Sequence, residues 1–470
     1  MQDNLPLGLA GIVSAVLVFI MPASVRAQDQ GPAYQPFRYD EDWSALSDTS
    51  RRQDPLDSLK YISLGRSGWY ITLGGEIRER YELLDQPGFG TGRPDSRGYL
   101  LQRYLFSSDF HFGPHFRFFA EIQSAFEEGR AGGPRLTDYD PLEVHQAFVD
   151  WKIQDSGNDS VTLRVGRQEV GFGSGRLIAP AEGLNLRRSM DGVRIAVRRG
   201  RVEWNTVALR LVVASQNVFG DVPDHRQSFW ATGFVLPHPF WKVANIGAYY
   251  LGFDRKDAVF AKGIGREIRE TTGVHAWKSP SEGWDYDDEG LIQWGSFRGA
   301  PIRAWAVSEN VGYTFGGALL HPRLGLRADA TSGDQGKKSL TFGSFDPLFP
   351  AAPLYSGPAG LLGATNLIDV TPSLGLRFSK SVRMALELSS FWRESLADSV
   401  YSPFIMPIRP ADPTAGRYVA SAPSATISWK ATQHMSYSII YSRFWPGTYF
   451  LKDPPDRKVN YFTIWATYRF

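Results

Sequence analysis

The chain has 470 residues, no cysteine and a formal net charge of +2. The lack of cysteine excludes disulfides, thiolate metal sites and a cysteine nucleophile, and the balanced charge argues against a nucleic-acid partner. Charged residues make up 21% of the chain and the mean hydropathy is −0.26, which is too polar for a bundle of membrane-spanning helices. The same composition suits a membrane β-barrel, because half of each strand then faces a wet lumen.

The first apolar run, Leu5 to Ile20, is shorter than the roughly 20 residues that a spanning helix needs. It is followed by Pro22 and by the small-residue site Val25-Arg26-Ala27. This pattern predicts a signal peptide over 1–27, cleaved after Ala27. Residues 28–60 lack any regular alternation, so we expect a mostly irregular periplasmic segment there, followed by one barrel domain over 61–470.

From Trp69 onward, apolar and polar residues alternate with period two, as in 69–78, 116–123, 147–153, 193–198 and 206–213. Such alternation predicts strands with one apolar and one polar face. In a membrane barrel the apolar face meets lipid and the polar face lines the lumen. This rule places Val207 and Leu209 against lipid and Arg210 in the lumen.

The connections favour a barrel over a soluble sandwich. About eighteen strands of roughly ten residues fit the chain, the length that a tilted membrane strand requires. Their linkers alternate between short ones, at 113–114, 155–159, 199–201 and 379–381, and long ones, at 84–98, 127–141, 169–190, 329–365, 393–417 and 445–458. We therefore predict an all-β fold: a single transmembrane antiparallel β-barrel of about eighteen strands, with short periplasmic turns and long extracellular loops.

The final segment, Val459 to Phe470, alternates in the same way and ends on an aromatic residue. A barrel closes by pairing its last strand with its first, because an open edge cannot sit in lipid. We expect this segment to be the closing strand, and Phe470 to be the signal that the outer-membrane insertion machinery binds. The expected location is the outer membrane of a Gram-negative-type bacterium, in contact with its lipid.

No motif points to chemistry. None of the eight histidines has a metal-ligand spacing such as His-Glu-x-x-His, and the glycine-rich stretch 171–176 lacks the order of a phosphate-binding loop. We predict neither a cofactor nor a metal site, and no enzymatic activity. A barrel enzyme or an adhesin stays as an alternative, and a barrel without conductance would favour it.

Arginines remain as the candidate functional residues. Strand alternation or proximity to a strand places several in the lumen, with acidic residues among them: Arg78, Arg103, Arg187, Arg188, Arg194, Arg210, Arg327, Arg377, Asp191 and Asp329. Stacked guanidinium groups would select anions and pass a polyanion along by exchanging bidentate partners. Alternatively, the arginines pair with the carboxylates and stiffen the wall. The sequence leaves both open.

Several stretches resemble the alginate export family of outer-membrane porins. They are 146–151, 163–169, 173–177, 185–194, 284–287, 302–306, 322–329, 345–350 and 441–447, and the likeness runs from about residue 60 to the end. The resemblance implies an eighteen-stranded monomeric barrel with an arginine-rich, electropositive constriction. It also makes constriction candidates of Arg167, Arg187, Arg188, Arg194, Arg327 and Arg443, with Glu169 and Asp191 as counter-charges.

Three functions follow as hypotheses. The first is a passive, anion-preferring channel for an acidic polysaccharide such as alginate or its oligomers. The second is a general or substrate-specific porin for small sugars or organic anions. The third is the barrel enzyme or adhesin.

Overall fold

The computed structural model describes residues 34–237, 244–336, 339–351 and 353–470, so the predicted signal peptide over 1–27 lies outside the described residues. In these ranges eighteen long antiparallel strands form one sheet that closes on itself. The first nine are β1 (Trp69–Leu84), β2 (Tyr99–Phe112), β3 (Phe116–Glu128), β4 (Asp140–Ser156), β5 (Asp159–Gln168), β6 (Met190–Arg199), β7 (Val202–Val213), β8 (Gln227–Pro237) and β9 (Asn245–Phe260). The others are β10 (Gly263–Lys278), β11 (Gly283–Phe297), β12 (Ala300–Thr314), β13 (Arg323–Thr331), β14 (Ile368–Arg377), β15 (Val382–Trp392), β16 (Tyr418–Lys430), β17 (Met435–Pro446) and β18 (Val459–Arg469).

Strands β1 and β18 close the barrel, with Glu76 opposite Arg469 at one end of the ladder. Just past β18, Phe470 and Gly75 exchange two backbone hydrogen bonds of 2.9 and 3.1 Å. A Cβ on Gly75 would lie 2.6 Å from the Phe470 ring, so only glycine leaves room for that ring. The predicted fold class and the predicted pairing of the last strand with the first are confirmed.

The predicted sorting of connections is largely correct. All four predicted short linkers lie at one end of the barrel, called here the short-turn end, and all six predicted long ones lie at the opposite, long-loop end. Two tight turns, 261–262 and 298–299, also lie at the long-loop end. The hairpins β9–β10 and β11–β12 therefore reach that end with almost no loop.

The remaining elements are short. They are the two-residue strands Ile62–Ser63 and Val222–Pro223, the hairpin Val400–Tyr401 with Pro407–Arg409, the 3-10 turns Arg38–Asp40, Ser44–Ser47, Thr49–Arg51 and Pro87–Gly90, and the α-helices Asp57–Lys60, Pro353–Ser356 and Thr448–Lys452. Across the described ranges, no helix has the length and apolar character needed to cross a membrane.

The outer face of the barrel is apolar. Side chains such as Val149, Ile195 and Leu386 alternate outward and stay between about a third and a half exposed. Aromatic pairs ring the outer wall near the short-turn end, among them Trp69 with Phe112, Phe116 with Trp151, Trp284 with Tyr313 and Trp429 with Tyr437. An apolar band with an aromatic girdle is what a lipid-facing wall requires.

Two long-loop-end connections fold into the lumen. Inner loop 1 is residues 169–189, and inner loop 2 is the described residues 332–336, 339–351 and 353–367. They join each other through a parallel bridge between Ile178 and Phe349, and loop 2 also pairs with β12 through Phe342 and Ile302. Ile178, Phe342 and Phe349 belong to one buried apolar cluster with the inward faces of β7 to β12. Part of the lumen is therefore a packed apolar core.

This core reverses the predicted orientation of β7. Val207 and Leu209 are only 3% exposed because they point inward, onto inner loop 1. Trp204 shares the other face and is 44% exposed on the outer wall. The rule that apolar residues face lipid is wrong here, because the folded-in loops give the inner face apolar partners as well.

The segment 34–60 also lies against lumen-facing side chains. The Tyr39 ring packs on Phe119 and Phe148, which point inward from β3 and β4. The Tyr39 hydroxyl donates to the backbone oxygen of Glu169, at the start of inner loop 1 (2.9 Å). Farther along the segment, Lys60 is buried and contacts an aromatic ring, and its burial lowers its pKa to about 8. The segment thus enters the lumen from the short-turn end and meets inner loop 1.

Candidate functional site

An ion-pair network, buried except at Glu182, crosses the lumen between the β1–β2 wall and inner loop 1. Arg103 on β2 binds Glu76 on β1 at 2.5 Å and Glu182 of inner loop 1 at 2.6 Å. Arg78 donates to the backbone oxygens of Glu182 and Leu184 at 2.8 and 2.5 Å. Both arginines point inward because they alternate with outward apolar residues such as Ile77. Through these contacts the two arginines hold inner loop 1 against the β1–β2 wall.

Glu169 and Arg187 close inner loop 1 on itself. Arg187 Nη2 donates to Glu169 Oε2 at 2.7 Å, its Nε contacts the other carboxylate oxygen, and its Nη1 contacts Glu182. His145 Nε2 lies 2.8 Å from Glu169 Oε1. Burial raises the pKa of Glu169, but Arg187 and His145 outweigh burial and hold that pKa at about 2. The clasp is therefore ionised at neutral pH.

The N-terminal segment joins this network through Arg38. Arg38 Nη2 binds Glu76 Oε2 at 2.9 Å, and Arg187 Nη2 donates to the backbone oxygen of Pro36 at 3.0 Å. Arg469 on the closing strand also binds Glu76 Oε2, at 3.0 Å. The carboxylate of Glu76 thus links the barrel seam, the N-terminal segment and inner loop 1.

A second lumen cluster lies on the far wall. Arg327 on β13 binds Asp369 on β14 at 2.7 Å and Asp329 on its own strand at 3.3 Å. These three point inward, as the strand alternation predicts. One guanidinium thus faces two carboxylates, so Arg327 is engaged by the wall.

Arg188 has no carboxylate partner in the described residues. It is half-buried, and its Nη1 donates to the backbone oxygens of Ala179 and Phe349 at 2.9 and 2.7 Å. Burial lowers its pKa to about 10. The guanidinium joins inner loop 1 to inner loop 2 through these two backbone oxygens.

Arg194 is a predicted arginine that faces an open cavity. It points inward from β6, and its Nε and Nη2 both donate to Asn205 Oδ1, at 2.9 and 2.7 Å. Within the described residues no carboxylate lies within ion-pair distance of it, although Asp40 interacts with it electrostatically. It lines a cavity of about 170 Å³, the Arg194 cavity, bounded by residues 170–173 of inner loop 1 and the inward faces of β6 to β10.

Arg377 also points inward, from the end of β14. It is exposed at the short-turn end, and no ion pair of the described residues includes it. It lies apart from the Glu76 network and from the Arg194 cavity.

Four predicted pore residues point outward, which corrects their assignment to the lumen. Arg167 and Asp191 pair with each other at 2.8 Å and share the outer face of β5 and β6 with Val165 and Val193. Arg210 lies on the same face of β7 as outward Trp204, and it lies 2.9 Å from His225. Arg443 lies between outward Tyr441 and Trp445. The position of each residue in its strand decides that it points outward. Arg167 and Arg443 had been named only by the sequence resemblance. Arg210 points outward because the orientation of β7 is the reverse of the predicted one.

Three central residues of the network were not predicted: Arg38, Glu76 and Glu182. Glu76 alternates with outward residues on β1, so the alternation of that strand predicts that it points inward. Arg38 and Glu182 lie in segments without periodicity, and no sequence signal places them in the lumen. Their role becomes visible only once the two segments fold inward.

The sequence profile of a protein family described as "Alginate export" matches residues 69–464. The match covers every barrel strand apart from the last few residues of β18. The chain belongs to the alginate export family. Comparison with curated proteins found no sequence match.

Solved outer-membrane channels share the fold of this family member. OccD3 (OpdP) of Pseudomonas aeruginosa superposes with a TM-score of 0.59 at 13% identity, over 87% of this chain and 92% of its own. A BenF-like porin of Pseudomonas fluorescens Pf-5 gives 0.58 at 10% identity, over 85% and 98%. OpdK of P. aeruginosa, solved with vanillate, gives 0.58 at 9% identity, over the same shares of the two chains. At such identities the likeness concerns the fold alone.

Membership of the alginate export family and a porin-like barrel imply an outer-membrane channel. The orientation then follows the general rule for these barrels, with the short-turn end in the periplasm and the long-loop end outside the cell. Family and fold are those of transport proteins.

Proposed function

We propose that this alginate export family member is a passive, anion-preferring outer-membrane channel with no enzymatic activity. The observation that carries the proposal is Arg194, an inward-facing arginine that lines an open cavity and lacks an ion-pair partner in the described residues. Most of the other predicted lumen arginines form ion pairs with Glu76, Glu169, Glu182 or Asp369. An arginine without an ion-pair partner in a partly apolar lumen raises the local concentration of anions.

The sequence left two roles open for the lumen arginines, anion selection and stiffening of the wall. The arginines support both roles, at different places in the barrel. Arg103 and Arg187 hold the wall and inner loop 1 together through carboxylates. Arg194 is left to act on a solute. A guanidinium binds a carboxylate in bidentate fashion, which suits an acidic sugar or an organic acid.

The cargo is either an acidic polysaccharide such as alginate or a small anion. Family membership favours the polymer. The folded-in loops favour the small solute, because a polymer needs a continuous passage and the two loops with residues 34–60 fill much of the lumen. We expect both to enter, with the polymer requiring displacement of inner loop 1.

The test is the reversal potential of the purified, full-length chain in a planar bilayer under a salt gradient. We expect anion preference, a block by polyuronate added to either side, and a permeability ratio that falls toward one in Arg194→Ala. Arg210→Ala is the matched control, since Arg210 lies on the neighbouring strand and points outward. Cation preference in the unmodified channel, with no block by polyuronate, would overturn the proposal.

A further inference from the structure

We propose that the Arg194 cavity is a binding site for one hydroxylated ring that carries a carboxylate, such as a free monomeric sugar acid. The inference deepens the proposed function and rests on it, since it names the solute that the unpaired arginine binds. The cavity lies at the inner wall of β6 to β10, and its lining residue Glu203, beside the short turn 200–201, is exposed.

The cavity pairs a cation with ring surfaces. Arg194 provides the carboxylate contact from β6. On the opposite side, the rings of His275 and Trp277 on β10 stack at 4.3 Å with an interplanar angle of 11°. Phe172 of inner loop 1 and Tyr249 on β9 meet edge to face at 6.1 Å and complete an aromatic wall. Ring faces of this kind bind the apolar face of a sugar ring while the cation fixes one end.

Polar groups surround the place where the sugar ring would lie, and they suit its hydroxyl groups. Asn205 accepts from Arg194 through Oδ1, and its Nδ2 has no acceptor among the described residues. Glu203 lines the cavity and is exposed, which leaves its carboxylate free to accept. A purely aromatic carboxylate would leave these donors and acceptors unpaired, which weakens binding.

The size of the cavity favours a monomer. Its volume of about 170 Å³ equals the space of roughly six water molecules at about 30 Å³ each, which suits one substituted six-membered ring. The inner-loop residues Gly171 and Gly173 form one wall, and a Cβ on Gly173 would lie 2.7 Å from the Tyr249 ring. A second sugar unit would need inner loop 1 to move away from β9.

The experiment is calorimetric titration of the purified full-length channel with glucuronate, with a glucuronate-type disaccharide and with benzoate. We expect glucuronate to bind more tightly than the other two. Arg194→Ala should weaken glucuronate binding about tenfold or more, as expected for loss of a charge-assisted contact. Trp277→Leu should weaken it several-fold, whereas the outward-facing Arg210→Ala should leave it unchanged.

Three results would overturn the inference: equal binding of benzoate, equal binding of the disaccharide, or glucuronate binding that ignores both Arg194→Ala and Trp277→Leu. Bilayer recordings on the same samples separate the two proposals. Anion preference without selective glucuronate binding overturns only this inference, whereas cation preference overturns the proposed function.

Discussion

Glu169 and Arg187 lie at opposite ends of inner loop 1 and clasp each other inside the barrel, with Nη2 and Oε2 2.7 Å apart. The pair is almost fully buried, and His145 supports the carboxylate from β4. The clasp holds the loop in a closed shape, and Arg103 and Arg78 hold that shape against the wall.

The contact between Glu169 and Arg187 predicts that the docking of inner loop 1 depends on pH. The folded-state pKa of Glu169, about 2, is below its ordinary value of 4.5, so its stabilisation is complete above about 4.5 and is lost as the pH falls toward 2. Glu169→Gln should therefore destabilise the docked loop at pH 7 by up to about 3 kcal/mol. At pH 7, a protease should cleave within 169–189 faster in the variant than in the unmodified chain. Near pH 2.5, measured with an acid-stable protease, the two cleavage rates should approach each other. A difference that does not change with pH would contradict the clasp.

The outward arginines predict silent substitutions. Arg167→Ala and Arg443→Ala should leave conductance and ion selectivity within error of the unmodified channel, because neither side chain reaches the lumen. Arg327→Ala, on the inward face, leaves Asp369 without its main cation and should shift selectivity toward cations. Bilayer recordings of the three variants check the orientation, and a selectivity change in Arg167→Ala or Arg443→Ala would contradict it.

The N-terminal segment predicts a conductance change. Removing residues 34–60 deletes the Arg38–Glu76 ion pair and the Tyr39 packing on Phe119 and Phe148, so we expect a larger single-channel conductance. Arg51→Ala is the control, since Arg51 lies in the same segment with an exposed side chain. Unchanged conductance after the deletion would mean that ions pass by a route that these residues do not obstruct.

The apolar core predicts a loop that loosens without any change of charge. Ile178 is fully buried between inner loop 2 and the inner wall. Ile178→Ala should cost about 2–4 kcal/mol of docking free energy through lost burial and the cavity left behind. More frequent large-conductance openings should follow. Ile195→Ala removes the same atoms from the lipid-facing surface and should leave opening frequency unchanged.

The barrel could be predicted from the sequence because its two strongest signals are local. Period-two alternation gives strands, and linker length gives the end of the barrel at which each connection lies. The turns at 261–262 and 298–299 were not predicted to lie at the long-loop end. Their strands are joined by short connections at both ends of the barrel, so linker length does not tell the two ends apart. Closure by β18 followed from the need to leave no edge in lipid.

The contents of the lumen could not be predicted in the same way. Val207 and Leu209 show why: their alternation is correct, but which face meets lipid depends on whether something apolar fills the other side. Residues 169–189, 332–367 and 34–60 have no periodicity, and their places are set by contacts with residues far away in sequence. Arg194 was a candidate from its strand position, whereas its lack of an ion pair depends on which carboxylates the loops bring near.

The apolar core gives the pore an internal dewetting barrier. If the inner loops left the lumen entirely, the inward faces of β7 to β9, with Leu209, Phe229 and Phe253, would line a water-filled channel. Exposing such surface costs about 25 cal/mol per Å², so full opening is opposed by water as well as by the ion pairs. A small solute that passes beside the docked loops avoids that penalty. A polymer must supply its own compensating contacts or be pulled through by something outside the channel.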